Sequence, residues 1–181
     1  MRITAGKYRG RTVYCPPGVI RPAMDRMRVS LFSILGPIDG LSFLDLFSGS
    51  GLVGIEAASR GAQPVDLVEK DFGKKKVIAR NLAWVEEPVA LHLADVRAFL
   101  SRAAKTWDLI YADPPFPMEG KREVLETIAE KRLLSPDGRL VMHHPSEDPL
   151  PETVGDLVRY DRREYGRSHL AFYARADESE A

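Results

Sequence analysis

The 181-residue sequence contains a single cysteine, Cys15, so it cannot form an internal disulfide, and a reducing cytoplasm is the expected location. No apolar run is long enough to cross a membrane, and the N-terminal residues do not have the pattern of a signal peptide. His143 and His144 are adjacent, with no acid or cysteine at ligand spacing, so no metal is expected. The remaining composition is that of an ordinary globular protein, and the length suits one domain.

The formal net charge is zero, but the charged residues are unevenly distributed along the chain. Residues 1–28 contain one acid, Asp25, and these basic residues: Arg2, Lys7, Arg9, Arg11, Arg21, Arg26 and Arg28. We predict that residues 1–20 form a basic arm and that this region, with Arg26 and Arg28, contacts RNA or DNA phosphates. The alternative is a solvated charged hairpin. Residues 176–181 are predicted to be a disordered acidic tail.

The order of apolar segments predicts an α/β fold. Residues 2–14 alternate apolar and basic side chains around two glycines, which is typical of a small β-hairpin. From Met24, apolar residues recur with a helical period as far as Gly36. Strands are then predicted at 43–47, 65–69, 89–93, 108–112 and 139–143, with helices at 52–60, 72–84, 95–104 and 121–132. Two antiparallel strands follow, at 157–165 and 168–175. The sequence therefore predicts one domain, 21–175, with about seven strands in a mostly parallel sheet.

A glycine loop follows the first predicted strand, with glycines at 49, 51 and 54. This spacing satisfies the dinucleotide pattern, and Glu69 ends the next strand 20 residues after Gly49, so an NAD-dependent oxidoreductase is one candidate. In any nucleotide site of this kind, the glycines let a ligand approach the backbone closely. The carboxylate at the end of the second strand then binds two ribose hydroxyls.

Asp45 favours a different ligand. It lies four residues before Gly49, where its carboxylate would repel a pyrophosphate and attract an ammonium. S-Adenosylmethionine carries an α-ammonium and a positive sulfonium and has no phosphate, so we favour it over NAD. Asp95, after the third strand, is then placed to accept a hydrogen bond from the adenine amino group. It could instead be the N-cap of the following helix.

An apolar strand ends in the segment Asp113-Pro114-Pro115-Phe116, which we call the ledge. The prolines cannot donate to a sheet, so they end the strand and fix the backbone just beyond it. The ledge presents one carboxylate, bare carbonyl oxygens and one flat ring. We predict that it binds an aromatic base with an exocyclic amine. The ring would stack on the base, and the carboxylate and a carbonyl would hold the nitrogen in line with an electrophile.

Together these motifs resemble a known family. The segments Asp45-x-Phe47-x-Gly49-Ser50-Gly51, Glu69, Asp95 and Asp113-Pro114-Pro115-Phe116 are similar to those of class I adenosylmethionine-dependent methyltransferases that modify exocyclic amines. The N-terminal pattern resembles the RsmD-type enzymes; it reads Arg2-Ile3-x-x-Gly6-x-x-Arg9-Gly10-Arg11 and then Arg21-Pro22-x-x-Asp25-Arg26-x-Arg28. The resemblance extends from residue 2 to about residue 175.

The resemblance implies a Rossmann-like methyltransferase fold, S-adenosylmethionine as cofactor, and methylation of the N2 amine of one guanine in bacterial small-subunit (16S) ribosomal RNA. It also implies that Phe47 and Ser50 belong to the cofactor site. The partner would be 16S ribosomal RNA or the small-subunit particle. The protein is expected to be a monomer. Where the family tends to carry Glu near the end of the fifth strand, this chain has His143 and His144. We interpret both as strand-end residues, with a substrate contact as the alternative.

Other functions remain open at this point. Adenine-N6 methylation of DNA uses a similar ledge, but those enzymes usually carry a target-recognition domain for which 181 residues leave no room. Glutamine-amide methylation of a protein would give the basic arm no role. A non-catalytic ribosome-assembly factor could retain the same fold only to bind RNA.

Overall fold

Eight strands and five α-helices make up the computed structural model, which describes residues 1–16 and 22–176. The strands are β1 (Phe43–Asp45), β2 (Val65–Glu69), β3 (Val89–Leu93), β4 (Trp107–Ala112), β5 (Leu134–Pro145), β6 (Thr153–Val154), β7 (Leu157–Tyr165) and β8 (Ser168–Arg175). The helices are α1 (Pro22–Leu35), α2 (Leu52–Ser59), α3 (Lys75–Leu82), α4 (Val96–Arg102) and α5 (Lys121–Glu130), with a 3-10 turn, Phe72–Lys74, before α3.

All eight strands form one sheet in the order β3-β2-β1-β4-β5-β8-β7-β6. The pairs from β3 to β5 are parallel, whereas β8, β7 and β6 pair antiparallel. The chain order reverses between β1 and β4, and in open α/β sheets such a switch point leaves a crevice at the carboxyl ends of the strands. The sheet therefore places any ligand beside the residues that follow β1, β2, β3 and β4.

The predicted mostly parallel sheet with an antiparallel C-terminal hairpin is confirmed, and β2, β3, β7 and β8 have the predicted bounds. Two details differ. The sheet has eight strands rather than about seven, because the short β6 adds a pair to β7. In addition, β5 begins at Leu134 instead of residue 139. The turn-forming composition of residues 135–138 concealed the pairing of Leu134 with Trp107.

Apolar side chains form a layer on each face of the sheet. On one face, Leu31 and Phe32 of α1 pack with Phe43 of β1, and the rings of Phe32 and Phe43 stack with centroids 6.3 Å apart. On the other face, α4 and α5 cover a layer that contains Trp107, which is 1% exposed. Because β1, β2 and β4 are buried on both sides, their sequences are mainly apolar, as is typical of central parallel strands.

The N-terminal arm is a compact turn closed by one antiparallel bridge, Arg2 to Thr12. It packs on α2, where the fully buried Glu56 accepts hydrogen bonds from the backbone N–H groups of Thr4 and Ala5 at 3.0–3.1 Å. A buried carboxylate must be compensated in this way, so the arm is fixed to the sheet domain by its backbone. Arg21 and residues 177–181 of the predicted tail lie outside the described residues.

Candidate active site

Four carboxylates meet at the carboxyl edge of the sheet, as the sequence predicts. Asp45 and Glu69 end β1 and β2, Asp113 follows β4 directly, and Asp95 lies two residues after the end of β3. Because the sheet order is β3-β2-β1-β4, they succeed one another in space as Asp95, Glu69, Asp45 and Asp113. The four acids are far apart in the sequence, and the parallel pairing of the strands brings them to the same edge.

Two adjoining clefts open along this edge. The first has a volume of about 570 Å³ and is lined by Phe47, Gly49, Glu69, Asp95 and Asp113, among others. The second, of about 290 Å³, is lined by Asp45, Phe47, Gly49, Ser50 and Asp113, among others. The predicted cofactor residues therefore line the clefts, except for Gly51, and Asp113 borders both. The clefts are large enough together for a nucleoside-sized ligand.

Glycines shape the loop between β1 and α2. Gly51 is the N-cap of α2 with φ 86°, a left-handed conformation that glycine adopts without strain. Gly54 has a packing role, because a Cβ there would lie 2.2 Å from Cδ2 of Leu67. The close approach lets the Gly54 N–H donate to Oδ2 of Asp45 at 3.2 Å. The loop therefore holds one oxygen of Asp45 and leaves the other for a ligand.

Asp45 has the most perturbed carboxyl group of the site. It is 1% exposed, and its Oδ1 has no hydrogen-bond partner among residues 1–16 and 22–176. Burial raises the pKa of Asp45 to about 8, and the nearby charge of Asp113 adds to the shift. A buried carboxylate oxygen without a partner is costly unless a cation or donor reaches it. Asp45 therefore fits the ammonium of the expected cofactor.

Glu69 and Asp95 already serve the backbone. Glu69 accepts from the N–H of Gly49 at 2.8 Å and of Asp71 at 2.9 Å, and each oxygen retains acceptor capacity for a ribose hydroxyl. Asp95 is the N-cap of α4, where its Oδ1 accepts from the N–H of Arg97 at 2.8 Å. The N-cap interpretation of Asp95 is confirmed. Asp95 also lines the larger cleft, and its contact with an adenine amino group stays a prediction.

The ledge is anchored by His143 and Lys121. Nδ1 of His143 lies 2.7 Å from Oδ1 of Asp113, and the His143 and Phe116 rings meet edge to face with centroids 5.0 Å apart. Nζ of Lys121, which is 3% exposed, donates to the carbonyls of Phe116 and Met118 at 2.9 and 2.7 Å and also pairs with Asp148.

A lysine at the start of a helix usually faces solvent, so Lys121 gave no signal in the sequence. For His143 a signal exists, since the parallel pairing of β4 with β5 sets Met142 beside Ala112 and so brings residue 143 next to Asp113. Pro114 is buried, Pro115 lines the larger cleft, and Phe116 lines a surface groove that shares Pro117 and Met118 with that cleft.

The six predicted phosphate-binding residues differ in exposure. The side chains of Arg2, Arg9, Arg11 and Arg26 are exposed. Lys7 is exposed too but forms ion pairs with Glu86 and Glu87, which raise its pKa.

Arg28 is only 4% exposed, so its prediction as a phosphate contact is wrong for this structure. Its guanidinium lies 3.5 Å from Glu56 and donates to the backbone carbonyl of Arg2 at 2.7 Å, which ties α1 to the arm. The apolar periodicity of α1 placed Arg28 at the edge of the buried stripe but did not reveal that Glu56 would draw it inward.

The order of the sheet and the acids at its carboxyl edge together define a class I methyltransferase fold. The chain matches the family described as Conserved hypothetical protein 95 over residues 1–174, and it belongs to this family, which comprises RsmD-type methyltransferases.

Three relatives illustrate the similarity. YlbH of Bacillus subtilis, an rRNA methyltransferase by name, is 37% identical over 180 residues, which cover 96% of this chain and 98% of that protein. Ribosomal RNA small subunit methyltransferase D of Escherichia coli is 29% identical over 185 residues, covering 100% of this chain and 93% of that protein. Among solved structures, YhhF of Escherichia coli, a methyltransferase by name, superposes with a TM-score of 0.86 at 27% identity over 98% of this chain and 99% of that one.

The described residues contain neither a membrane-spanning helix nor a metal-binding cluster of side chains. No helix within 1–16 and 22–176 is long and apolar enough to cross a membrane. In the same part of the chain, no group of three or more His, Cys, Asp or Glu side chains could hold a metal ion.

Proposed function

We propose that this protein transfers a methyl group from S-adenosylmethionine to the exocyclic N2 amine of a guanine in bacterial 16S ribosomal RNA. One observation carries the proposal: the unpartnered, buried oxygen of Asp45 and the Asp113 ledge border the same cleft. The first suits a ligand with an ammonium group, and the second suits an amine on a flat base. The names of the relatives support ribosomal RNA as the substrate class.

The cofactor site rests on three carboxylates with separate tasks. Asp45 would bind the ammonium, Glu69 the ribose hydroxyls, and Asp95 the adenine amino group. The glycine loop would lie against the ligand, since Gly49 lines both clefts. When bound, the cofactor supplies an electrophilic methyl group on a positively charged sulfur.

The ledge would prepare a weak nucleophile. The lone pair of guanine N2 is delocalised into the ring, so the nitrogen must be turned towards the methyl group and lose one proton overall. Asp113 and the Pro114 carbonyl would accept the two N–H bonds, while Phe116 would stack on the base. The methyl group would pass from the sulfur of the bound cofactor to this nitrogen, and the proton that the nitrogen releases would go to Asp113 or to water. We assign orientation of the amine as the first task of Asp113.

The base must reach the ledge from structured RNA. A paired or stacked guanine cannot approach Asp113, so the base has to be unstacked and turned into the cleft. Arg26 and the exposed arginines of the arm would hold the flanking phosphates, which position the RNA without specifying its sequence.

Transfer of labelled methyl from S-adenosylmethionine tests the proposal. Small-subunit particles from cells that lack this gene, and the naked RNA extracted from them, serve as substrates, with the Asp113→Ala protein run in parallel. We expect label in one N2-methylguanosine with the wild-type protein and none with the variant.

Three other outcomes would contradict parts of the proposal. Cofactor binding with label only in DNA would move the activity to adenine-N6 methylation, and label only in protein would move it to an amide. Absence of cofactor binding, with RNA affinity retained, would favour the assembly-factor function.

A further inference from the structure

His143 is a buried histidine in direct contact with the ledge. It is 2% exposed and lies near the end of β5, beside the strand that leads to Asp113. The distance of 2.7 Å between its Nδ1 and Oδ1 of Asp113 is that of a charge-assisted hydrogen bond. The contact follows from strand pairing, so it is a fixed feature of the sheet rather than a surface ion pair.

The second ring nitrogen indicates the protonation state of His143. Nε2 is buried and has no hydrogen-bond partner within the described residues 1–16 and 22–176. A doubly protonated ring would bury an N–H with nothing to accept it, which costs more than an unpaired lone pair beside apolar groups. This geometry favours a single ring proton, placed on Nδ1 and donated to Asp113.

The same ring also contacts the aromatic part of the ledge. Its centroid is 5.0 Å from that of Phe116 with an interplanar angle of 67°, an edge-to-face arrangement that favours one ring orientation. One side chain thus restrains both the carboxylate and the stacking ring, which are separated by two prolines.

We propose that His143 is the positioning residue of the ledge, a role that rests on the proposed methyl transfer. By holding Oδ1 of Asp113, it leaves Oδ2 to accept from the target amine and sets Phe116 for stacking on the base. Because Nε2 meets no partner in the part of the chain that the structure describes and is sealed from solvent, the ring has no path there for passing on a second proton. His143 orients Asp113 and does not relay the proton.

Two substitutions separate the hydrogen bond from simple packing. In His143→Asn the amide nitrogen takes the place of Nδ1 and can donate to Asp113, whereas His143→Leu fills similar space without a donor. We expect His143→Leu to lower kcat by ~10–100-fold, with KM for cofactor and RNA within ~2-fold of wild type, and His143→Asn to recover most of the loss. Equal losses in both variants, or a loss confined to KM, would overturn the proposal.

A matched control is available at the other edge of the sheet. Nε2 of His92 lies 2.7 Å from Oδ1 of Asp66, so it forms a His–Asp pair of the same length away from the clefts. His92→Leu should leave kcat unchanged. A comparable fall in kcat for His92→Leu would mean that the effect of His143→Leu is a general loss of order.

The tautomer of His143 can be determined without kinetics. Nitrogen-15 NMR of the wild-type protein distinguishes a ring protonated on Nδ1 from one protonated on Nε2 or on both, and Asp113→Asn identifies the signal among four histidines. A proton on Nδ1 alone supports the proposal, and either other state overturns it. If the wild-type protein transferred no methyl group, the proposed function would fail, and the tautomer would still decide whether His143 holds Asp113.

Discussion

The two edges of the sheet each carry a His–Asp pair with a 2.7 Å contact, yet the pairs have different surroundings. Asp66 also accepts from Lys105 and from the Trp107 indole, each at 2.8 Å, so its carboxylate is satisfied within the protein. Asp113 has His143 and borders open clefts. Polar groups at the amino edge are compensated internally, whereas those at the carboxyl edge retain capacity for ligands.

The pKa values of the two buried strand acids show the same contrast. Burial opposes ionisation of Asp66, but hydrogen bonds from Lys105, His92 and Trp107 outweigh it, so the pKa is lowered. At Asp45 burial prevails, with the charge of Asp113 acting in the same direction, and the pKa rises to about 8. A buried acid that has few hydrogen-bond donors around it indicates a binding site rather than a structural ion pair.

Removal of the two aspartates that face histidines should separate the edges most strongly. We expect Asp113→Ala to lower methyl transfer by ~1,000-fold with little change in thermal unfolding, because the amine loses its orienting acceptor. We expect Asp66→Asn to cost ~2–4 kcal/mol of unfolding free energy with unchanged kcat, because the buried Trp107 indole, Lys105 and His92 lose a charged partner. Rate assays and chemical denaturation check both. A lower kcat in Asp66→Asn without a loss of stability would contradict the distinction between a structural Asp66 and a functional Asp113.

Asp45→Asn should affect binding and stability in opposite directions. We expect the dissociation constant for S-adenosylmethionine to rise by ~100-fold, because the ammonium loses its carboxylate partner. We also expect the unliganded variant to be more stable by ~1–3 kcal/mol at pH 8, because the buried charge is gone. Calorimetry and denaturation measure the two quantities. Unchanged cofactor affinity would remove Asp45 from the site.

The pH dependence of the wild-type protein provides a test of Asp45 without substitution. Its pKa is about 8 in the folded protein against 3.8 ordinarily, so the folded state binds more protons, and this group's stabilising contribution is lost as pH rises from about 4 to about 8. A cation that binds the carboxylate must displace the proton, so between pH 6 and 7.5 affinity should rise by up to ~10-fold per pH unit. Calorimetry in two buffers of different ionisation enthalpy should detect proton release. A flat profile, equal to that of Asp45→Asn, would contradict this reasoning.

We expect the smallest effects from substitution of two arginines in α1. Arg26 is exposed, whereas Arg28 is buried. Arg26→Ala should weaken RNA binding ~3-fold and reduce the slope of log affinity against log salt by ~1, because one phosphate contact is lost. Arg28→Ala should instead lower the melting temperature, because the buried Glu56 loses one of its two cationic partners among the described residues. Filter binding over a salt series and thermal unfolding provide the readouts. A salt slope that changes only in Arg28→Ala would reverse the assignment.

The sequence alone determined the elements and the positions of their acids. Short apolar runs marked β2 and β3 at their observed bounds, and the prolines after Asp113 marked the end of β4, because both signals act within a few residues. Parallel pairing then requires Asp45, Glu69 and Asp113 to share an edge. The class of site followed from these facts without knowledge of any contact.

Tertiary structure decided which side chains meet and which lie without a partner. His143 reaches Asp113 from a strand 30 residues further along, Lys121 turns inward to hold the ledge, and Arg28 is drawn into the interior by Glu56. These outcomes depend on strand register and on burial at several sites at once, which local patterns do not encode. The raised pKa of Asp45 has the same origin, since burial and the neighbouring charge exist only in the folded chain.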